Sequence, residues 1–177
     1  RASCRASDRA GPPPRVRCVT VPANGPRAAA GAALHRSAMS DSDFTLDPRL
    51  AADTVEVGDL TLCRVLLMDD ARFPWLILVP RRPDLVEITD LSEPDAQALW
   101  QETRIAVGVM QALSRPDKVN VGALGNVVAQ LHVHVVGRFR SDPAWPGPVW
   151  GVGTRTPYPL HARAQLIERA GALFSAA

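Results

Sequence analysis

The stretch VVAQLHVHVVGRF, residues 127–139, constrains the fold of this chain more than any other part of the sequence. Apolar residues recur at every second position through its centre, which is the pattern of a β-strand whose side chains alternate between two faces. Three aliphatic residues fall on one face, and three nitrogen-bearing side chains fall on the other: Gln130, His132 and His134. The pattern predicts a strand with one face in the core and one face that carries chemistry.

Three interpretations of this polar face are open. An antiparallel sheet can leave one face in water, although such a face usually carries threonine, lysine, glutamate or arginine. Two histidines can bind zinc or iron, but such a site needs further ligands, and the other histidines, His35 and His161, lie far along the chain. A catalytic face, with imidazole as nucleophile or hydrogen-bonding group, fits best, and we predict no metal site.

The strands of the expected sheet follow from β-branched and apolar runs. Residues 54–68 predict two strands joined by a turn at Gly58-Asp59, and residues 74–80 predict a buried strand closed by proline. Two further strands are expected within residues 118–124 and 127–139. The pattern indicates an antiparallel sheet of about five strands.

Two helices complete an α+β fold. Ser92 is a good N-cap for the first, and this helix is expected to end near Ser114 because Pro116 cannot continue it. The second lies within residues 157–174, where apolar residues recur at helical spacing.

The first 38 residues differ in composition from the rest. They carry seven arginines against one acidic residue, Asp8, while the chain from Met39 onward has 13 basic and 17 acidic residues. With few large apolar side chains, residues 1–38 are expected to be a disordered Arg/Ala/Pro-rich extension. An upstream-extended translation, a targeting peptide and a functional basic arm are the alternatives for its origin, the first being preferred.

Bulk properties exclude several classes. No run of about 18 or more apolar residues is present, so no membrane partner is expected. Three widely spaced cysteines, Cys4, Cys18 and Cys63, fit neither a disulfide framework nor a CxxC metal site. We therefore expect a cytoplasmic protein of one main domain, residues 39–177, without a specific nucleic-acid partner.

A loop with glycines and asparagines precedes the histidines. In the sequence NVGALGN, Gly125-Asn126 is expected to form a turn, and glycine lets backbone N–H groups approach an anion. Taken alone the loop is an ordinary hairpin turn, but beside a histidine face it favours phosphate chemistry.

These residues together resemble the histidine triad (HIT) family, whose motif is His-φ-His-φ-His-φ-φ, with φ apolar. Here the motif is QLHVHVV, with Gln130 in place of the first histidine. The stretches WLILVPRRP, KVNVGALGN and DPAWPGPVWG also resemble the family, in particular bacterial diadenosine-tetraphosphate-hydrolase-like members. The resemblance covers residues 44–174 and implies a HIT-like fold.

The resemblance implies nucleotide chemistry at an α-phosphate, as a nucleotide phosphohydrolase or nucleotidyl transferase acting on a (di)nucleoside polyphosphate or nucleotide conjugate. His132 would be the nucleophile that forms a nucleotidyl-histidine, and His134 would contact phosphate or orient the nucleophile. Asn120 would hold the substrate, and the Gly125-Asn126 backbone would supply anion contacts.

Further residues take roles by the same resemblance. Asp69 or Asp70 would hydrogen-bond the ribose hydroxyls. Apart from the resemblance, Trp145 and Trp150 lie in a Pro/Gly-rich loop and are expected to stack on a base or lie at a dimer interface, the alternative being that they anchor the loop. Gln130 would belong to the catalytic group but cannot shuttle a proton near neutral pH.

The family's implied partners are a nucleotide substrate and a second copy of the chain, with two sheets joined edge to edge in a homodimer. No cofactor is required, and a divalent metal would serve only as a counter-ion of the substrate. Two alternatives stay open. Gln130 favours a non-catalytic nucleotide-binding protein, and the His132/His134 pair allows a metal-dependent enzyme.

Overall fold

A computed structural model describes residues 44–177, and the predictions for residues 1–38 lie outside this range. The described part contains three α-helices, five β-strands and one short 3-10 helix. In chain order they are α1 (Pro48–Asp53), β1 (Thr54–Asp59), β2 (Cys63–Met68), β3 (Trp75–Pro80), the 3-10 helix (Ile88–Asp90), α2 (Glu93–Ser114), β4 (Lys118–Gly122), β5 (Val133–Arg138) and α3 (Leu160–Ser175).

The five strands form one antiparallel sheet in the order β1-β2-β3-β5-β4. The predicted α+β class and sheet of about five strands are confirmed. β5, which carries His134, lies between β3 and β4, while β1 and β4 are the two edges. Within residues 44–177 no helix is both long and apolar enough to cross a membrane.

Helix α2 begins and ends as the sequence predicts. The Ser92 side chain accepts the Asp95 N–H at 3.3 Å, as an N-cap should. The chain leaves the helix at Arg115, which has a φ of 50° in the left-handed region, directly before Pro116. Helix α1 was not predicted because it has only six residues, too few for a periodic apolar pattern.

The two faces of the sheet are covered differently. Helices α2 and α3 pack on one face, which we call the helix face, over aliphatic side chains such as Leu76, Leu78 and Val135. The opposite face, which we call the loop face, buries Trp75 and Ile77 in a second core cluster with residues from α1 and from the segment after β5. The sheet therefore has no solvated face at its centre.

Two predicted boundaries are wrong. The turn between β1 and β2 lies at residues 60–62, because Gly58 stays within β1, at an irregularity of the pairing with β2. The predicted strand 127–139 is shortened to Val133–Arg138, because Leu131 donates its N–H to the Leu85 carbonyl outside the sheet. Gln130 and His132 consequently precede the strand, and only His134 lies on it.

Candidate active site

His132 and His134 meet as a closely packed pair. Their ring centroids are 4.7 Å apart, and the ring planes are nearly perpendicular at 87°. Each residue is only 6% exposed, so the predicted alternative of a solvated face does not apply. His134 lies directly across from Ile77 on β3, which places it on the loop face.

The pair lines a cleft of about 380 Å³ on the loop face. One wall is α1, which contributes Arg49 and Asp53, and a second is the glycine loop, which contributes Gly125 and Asn126. Trp150 closes a third side. The φ of Gly125 is +71°, a conformation that glycine adopts without strain, and this turn is where the sequence predicts it.

The hydrogen bond of His132 defines its tautomer. Its Nδ1 lies 2.6 Å from the backbone carbonyl oxygen of Gln130. A carbonyl oxygen only accepts, so Nδ1 carries the proton and donates. In the neutral ring this leaves a lone pair on Nε2, which is the form of imidazole that can attack phosphorus.

His134 has the opposite tautomer. The indole N–H of Trp75 donates to His134 Nδ1 at 3.0 Å, so Nδ1 holds the lone pair and Nε2 holds the proton. Burial, helped by repulsion from His132, lowers the pKa of His134 to about 3. The cleft thus places His132 Nε2, which is the acceptor nitrogen of that ring in its neutral form, beside the donor His134 Nε2–H.

Gln130 turns its side chain away from the histidines. Its Oε1 accepts the Asp47 N–H and its Nε2 donates to the Thr45 carbonyl, both at 2.9 Å. Since Asp47 is the N-cap of α1, this amide fastens the α1 wall to the loop before β5. Gln130 reaches the histidine pair only through its backbone carbonyl oxygen, and its side chain does not stand in for a triad histidine.

The predicted substrate ligand Asn120 is engaged in the protein. Its Oδ1 accepts from Arg138 at 2.8 Å, and Arg138 also pairs with the Asp142 carboxylate through two hydrogen bonds of 2.8 and 3.0 Å. Arg138 is 1% exposed. This network ties the segment after β5 to the sheet, and Asn120 is not among the residues that line the cleft.

Asp69 and Asp70 do not line the cleft either. Asp69 accepts from the Tyr158 N–H and from Arg163, both at 2.9 Å, and Asp70 pairs with Arg72. The Arg72 side chain and two backbone N–H groups outweigh burial and lower the pKa of Asp70. Both carboxylates therefore hold the chain around residues 156–163 against the end of β2. Neither lies at the cleft, where a ligand of the ribose is expected.

The two tryptophans of the loop after β5 have different surroundings. Trp150 lies beside His134, with ring centroids 5.8 Å apart, and stacks edge-on to Trp75 at 6.5 Å. Its indole N–H is buried and has no hydrogen-bond partner within the described residues. Trp145 instead lies against the Arg138 guanidinium, 5.8 Å from its ring centroid, and is not part of the cleft lining.

The sequence did not predict the two charged residues of the cleft, Arg49 and Asp53, or the role of Trp75 as a hydrogen-bond partner of His134. The first two lie on α1, and Asp47-Pro48, an N-cap followed by proline, was the available sign of that helix. For Trp75 the strand was predicted, but nothing in the sequence pairs its indole with a particular histidine. No three His, Cys, Asp or Glu side chains among residues 44–177 are grouped to hold a metal ion.

Comparison with known proteins defines the class. The HIT domain model matches residues 49–141, more than half of the chain. The chain belongs to the HIT family.

Solved structures agree with this assignment. A histidine triad protein from Sinorhizobium meliloti is 44% identical, with a TM-score of 0.73 over 74% of this chain and 97% of its own. One from Marinobacter aquaeolei is also 44% identical, with a TM-score of 0.73 over 75% and 97%.

An AP-4-A phosphorylase of Mycobacterium tuberculosis is 37% identical over 73 residues, which are 38% of this chain and 37% of that protein. The chain thus spans little more than a third of this curated relative.

Proposed function

We propose that this protein is a nucleotide hydrolase or nucleotidyl transferase that works through a covalent nucleotidyl-His132. The observation that carries the proposal is the opposite tautomers of the histidine pair, set by the Gln130 carbonyl and the Trp75 indole. One ring offers a lone pair to phosphorus, and the other offers an N–H to a phosphate oxygen, at a centroid separation of 4.7 Å.

In the first step His132 Nε2 attacks the α-phosphorus, forming a P–N bond as the bond to the leaving group breaks. The leaving group departs with the electron pair and takes a proton from water. The ring becomes an imidazolium, and its Nδ1–H stays on the Gln130 carbonyl. Water then attacks phosphorus and gives one proton to the hydroxide left from the first step. The P–N bond breaks, its electron pair returns to His132 Nε2, and a nucleoside monophosphate is released.

The rest of the cleft suits a nucleotide. Gly125 and Asn126 can present backbone N–H groups to the phosphate, and the wall formed by α1 supplies Asp53, the only carboxylate that lines this cleft in residues 44–177. The Asp53 carboxylate pairs with Arg155 at 3.4 Å but is 53% exposed and borders the cleft, and we assign to it the ribose contact that the family resemblance placed at Asp69 or Asp70. Apolar side chains beside it, including Leu50 and Ile77, offer surface for a base.

The test is mass spectrometry after brief incubation with diadenosine tetraphosphate or an AMP amidate, quenched in base to preserve phosphoramidates. Wild type and His132→Ala are run side by side, with and without a chelator. We expect an added AMP mass in the wild type alone, whatever the chelator does. Turnover that survives His132→Ala would reject the nucleophile.

Two outcomes would favour the alternatives. Nucleotide binding without adduct or AMP release would make this a non-catalytic nucleotide-binding protein. Chelator-sensitive turnover with stoichiometric bound metal would indicate a metal-dependent enzyme.

We further propose a homodimer joined along β4. This strand is an edge of the sheet, and Val121 on it and Trp100 on α2 are 46% and 65% exposed beside one groove. Exposed edge strands and large apolar side chains are typical of association surfaces. Light scattering should give twice the chain mass, and Val121→Lys with Trp100→Glu should give a monomer. A monomeric wild type would reject the proposal.

A further inference from the structure

Trp75 is a buried side chain with a polar end. It lies on β3, 6% exposed, and sits diagonally across from His134, because Ile77 is the residue directly opposite. Its ring packs edge-on against the His134 ring, with centroids 5.3 Å apart and planes at 71°. The packing and the hydrogen bond together hold the imidazole in one orientation.

The indole N–H decides which His134 nitrogen holds the proton. An indole nitrogen only donates, so a proton on His134 Nδ1 would set two N–H groups head to head at 3.0 Å in a buried place. That arrangement would leave both donors unsatisfied and is strongly disfavoured. The low pKa of His134 removes the charged form as well, so the Nε2–H tautomer is the one that remains.

We propose that Trp75 is a positioning residue that locks His134 as an Nε2–H donor to the phosphate of the substrate. The phosphate in this statement rests on the proposed function, whereas the lock itself does not. A phosphate oxygen accepts only, so the other tautomer would turn a lone pair toward it and repel it. Trp75 thereby makes the Nε2 of His134 a donor, whereas the carbonyl that accepts from His132 makes the Nε2 of that ring an acceptor.

The lock can be read directly by NMR on protein labelled with ¹⁵N-histidine. In the wild type, His134 should show one protonated nitrogen, Nε2, and one pyridine-type nitrogen, Nδ1. In Trp75→Phe, which loses the donor, the proton should distribute over both nitrogens. A second variant keeps the fold intact: 3-benzothienylalanine at position 75 has nearly the shape of tryptophan, with sulfur in place of the indole N–H.

Trp100→Phe keeps an aromatic ring on the proposed dimer surface, outside the cleft, and is the matched control: it should leave the His134 spectrum unchanged. The rate of adduct formation at His132 should fall about tenfold to a hundredfold in both position-75 variants, the size of effect seen when a partner that orients a metal-bound histidine is removed. The KM should change little in the benzothienylalanine variant, because that side chain keeps the shape of the cleft wall that Trp75 forms.

A pure Nε2–H tautomer in both variants would overturn the lock. A shifted tautomer with an unchanged rate of adduct formation would overturn the role of His134 as a donor to the phosphate. Failure of the proposed function looks different. A wild type that forms no adduct rejects nucleotidyl transfer, and the NMR comparison still decides whether Trp75 sets the tautomer.

Discussion

The helix face and the loop face are formed by the same strands but differ in function: one forms an apolar core, and the other carries the candidate site. On the helix face, helices of 22 and 16 residues close over a cluster made of apolar side chains. On the loop face the cover is a six-residue helix and irregular chain, and polar side chains lie among the apolar ones. Long helices supply continuous apolar stripes, whereas loops must bind through individual polar contacts, and those contacts build the site.

Of the substitutions that compare the two faces, one at Arg138 should have the largest effect on the free energy of unfolding. It is the buried cation of the loop face, and its guanidinium lowers the pKa of Asp142 through direct hydrogen bonds. Arg138→Met would leave that carboxylate buried without its partner, and we expect a loss of about 3–5 kcal/mol in the free energy of unfolding. Chemical denaturation measures it. Adding Asp142→Asn should restore part of the stability, and a single-variant loss below about 1 kcal/mol would contradict the prediction.

Leu78 and Ile77 are neighbours on β3 that are both fully buried but face opposite sides. Leu78→Ala should cost about 3 kcal/mol of stability through the cavity it leaves, with turnover of the folded protein unchanged. Ile77→Ala should lower stability by a similar amount and also raise the KM for the nucleotide, because Ile77 lines the cleft. Denaturation and steady-state kinetics on both variants check this. Equal kinetic effects would show that the two faces are not separate.

The pH dependence of stability should distinguish His134 from the apolar core. Its pKa of about 3 in the folded protein lies below the ordinary value of 6.5, so below pH 6.5 the unfolded chain binds a proton that the folded chain does not. Stability should therefore fall as pH falls from 6.5 toward 3, by about 2 kcal/mol between pH 6.5 and pH 5. His134→Asn should remove this part of the slope in denaturation curves. An unchanged slope would contradict the shift.

Substitution of Gln130 should have the smallest effect on the free energy of unfolding. Removing its amide in Gln130→Ala breaks the two hydrogen bonds to residues 45 and 47, for a loss of about 1 kcal/mol and a higher KM as the α1 wall loosens. Gln130→Glu keeps one bond and should fall between. Gln97→Ala on the exposed side of α2 is the control and should change neither quantity. A gain of activity in Gln130→His would show that the side chain acts chemically after all.

The contrast between the faces also explains what the sequence could predict. Both long helices and all five strands were expected, because their apolar periodicity is a local property of the chain. The apolar residues of the predicted second helix, among them Leu166, Ile167 and Leu173, pack against the core cluster of the helix face. The histidine pair and the Gly125 turn were found for the same reason, since their spacing lies within one segment.

The hydrogen-bond partners of those histidines could not be predicted from the sequence. The bond from Trp75 to His134 joins residues 59 apart, and the bonds of Gln130 join residues 83 and 85 apart. Such contacts depend on how strands and loops pack, and an isolated tryptophan or glutamine carries no sign of its partner. Asp69 and Asp70 had the expected position in the sequence, but in the fold their carboxylates are paired with Arg163 and Arg72.

Gly122 and Trp150 restrict one another's replacement. A Cβ atom at position 122 would lie 3.1 Å from the Trp150 ring, so alanine there requires the indole to shift by a few tenths of an ångström. A side chain at position 122 is therefore accommodated more easily once residue 150 is smaller than tryptophan. The two sites are 28 residues apart, and a change of the loop residue makes a later replacement of the β4 glycine easier than the reverse order does.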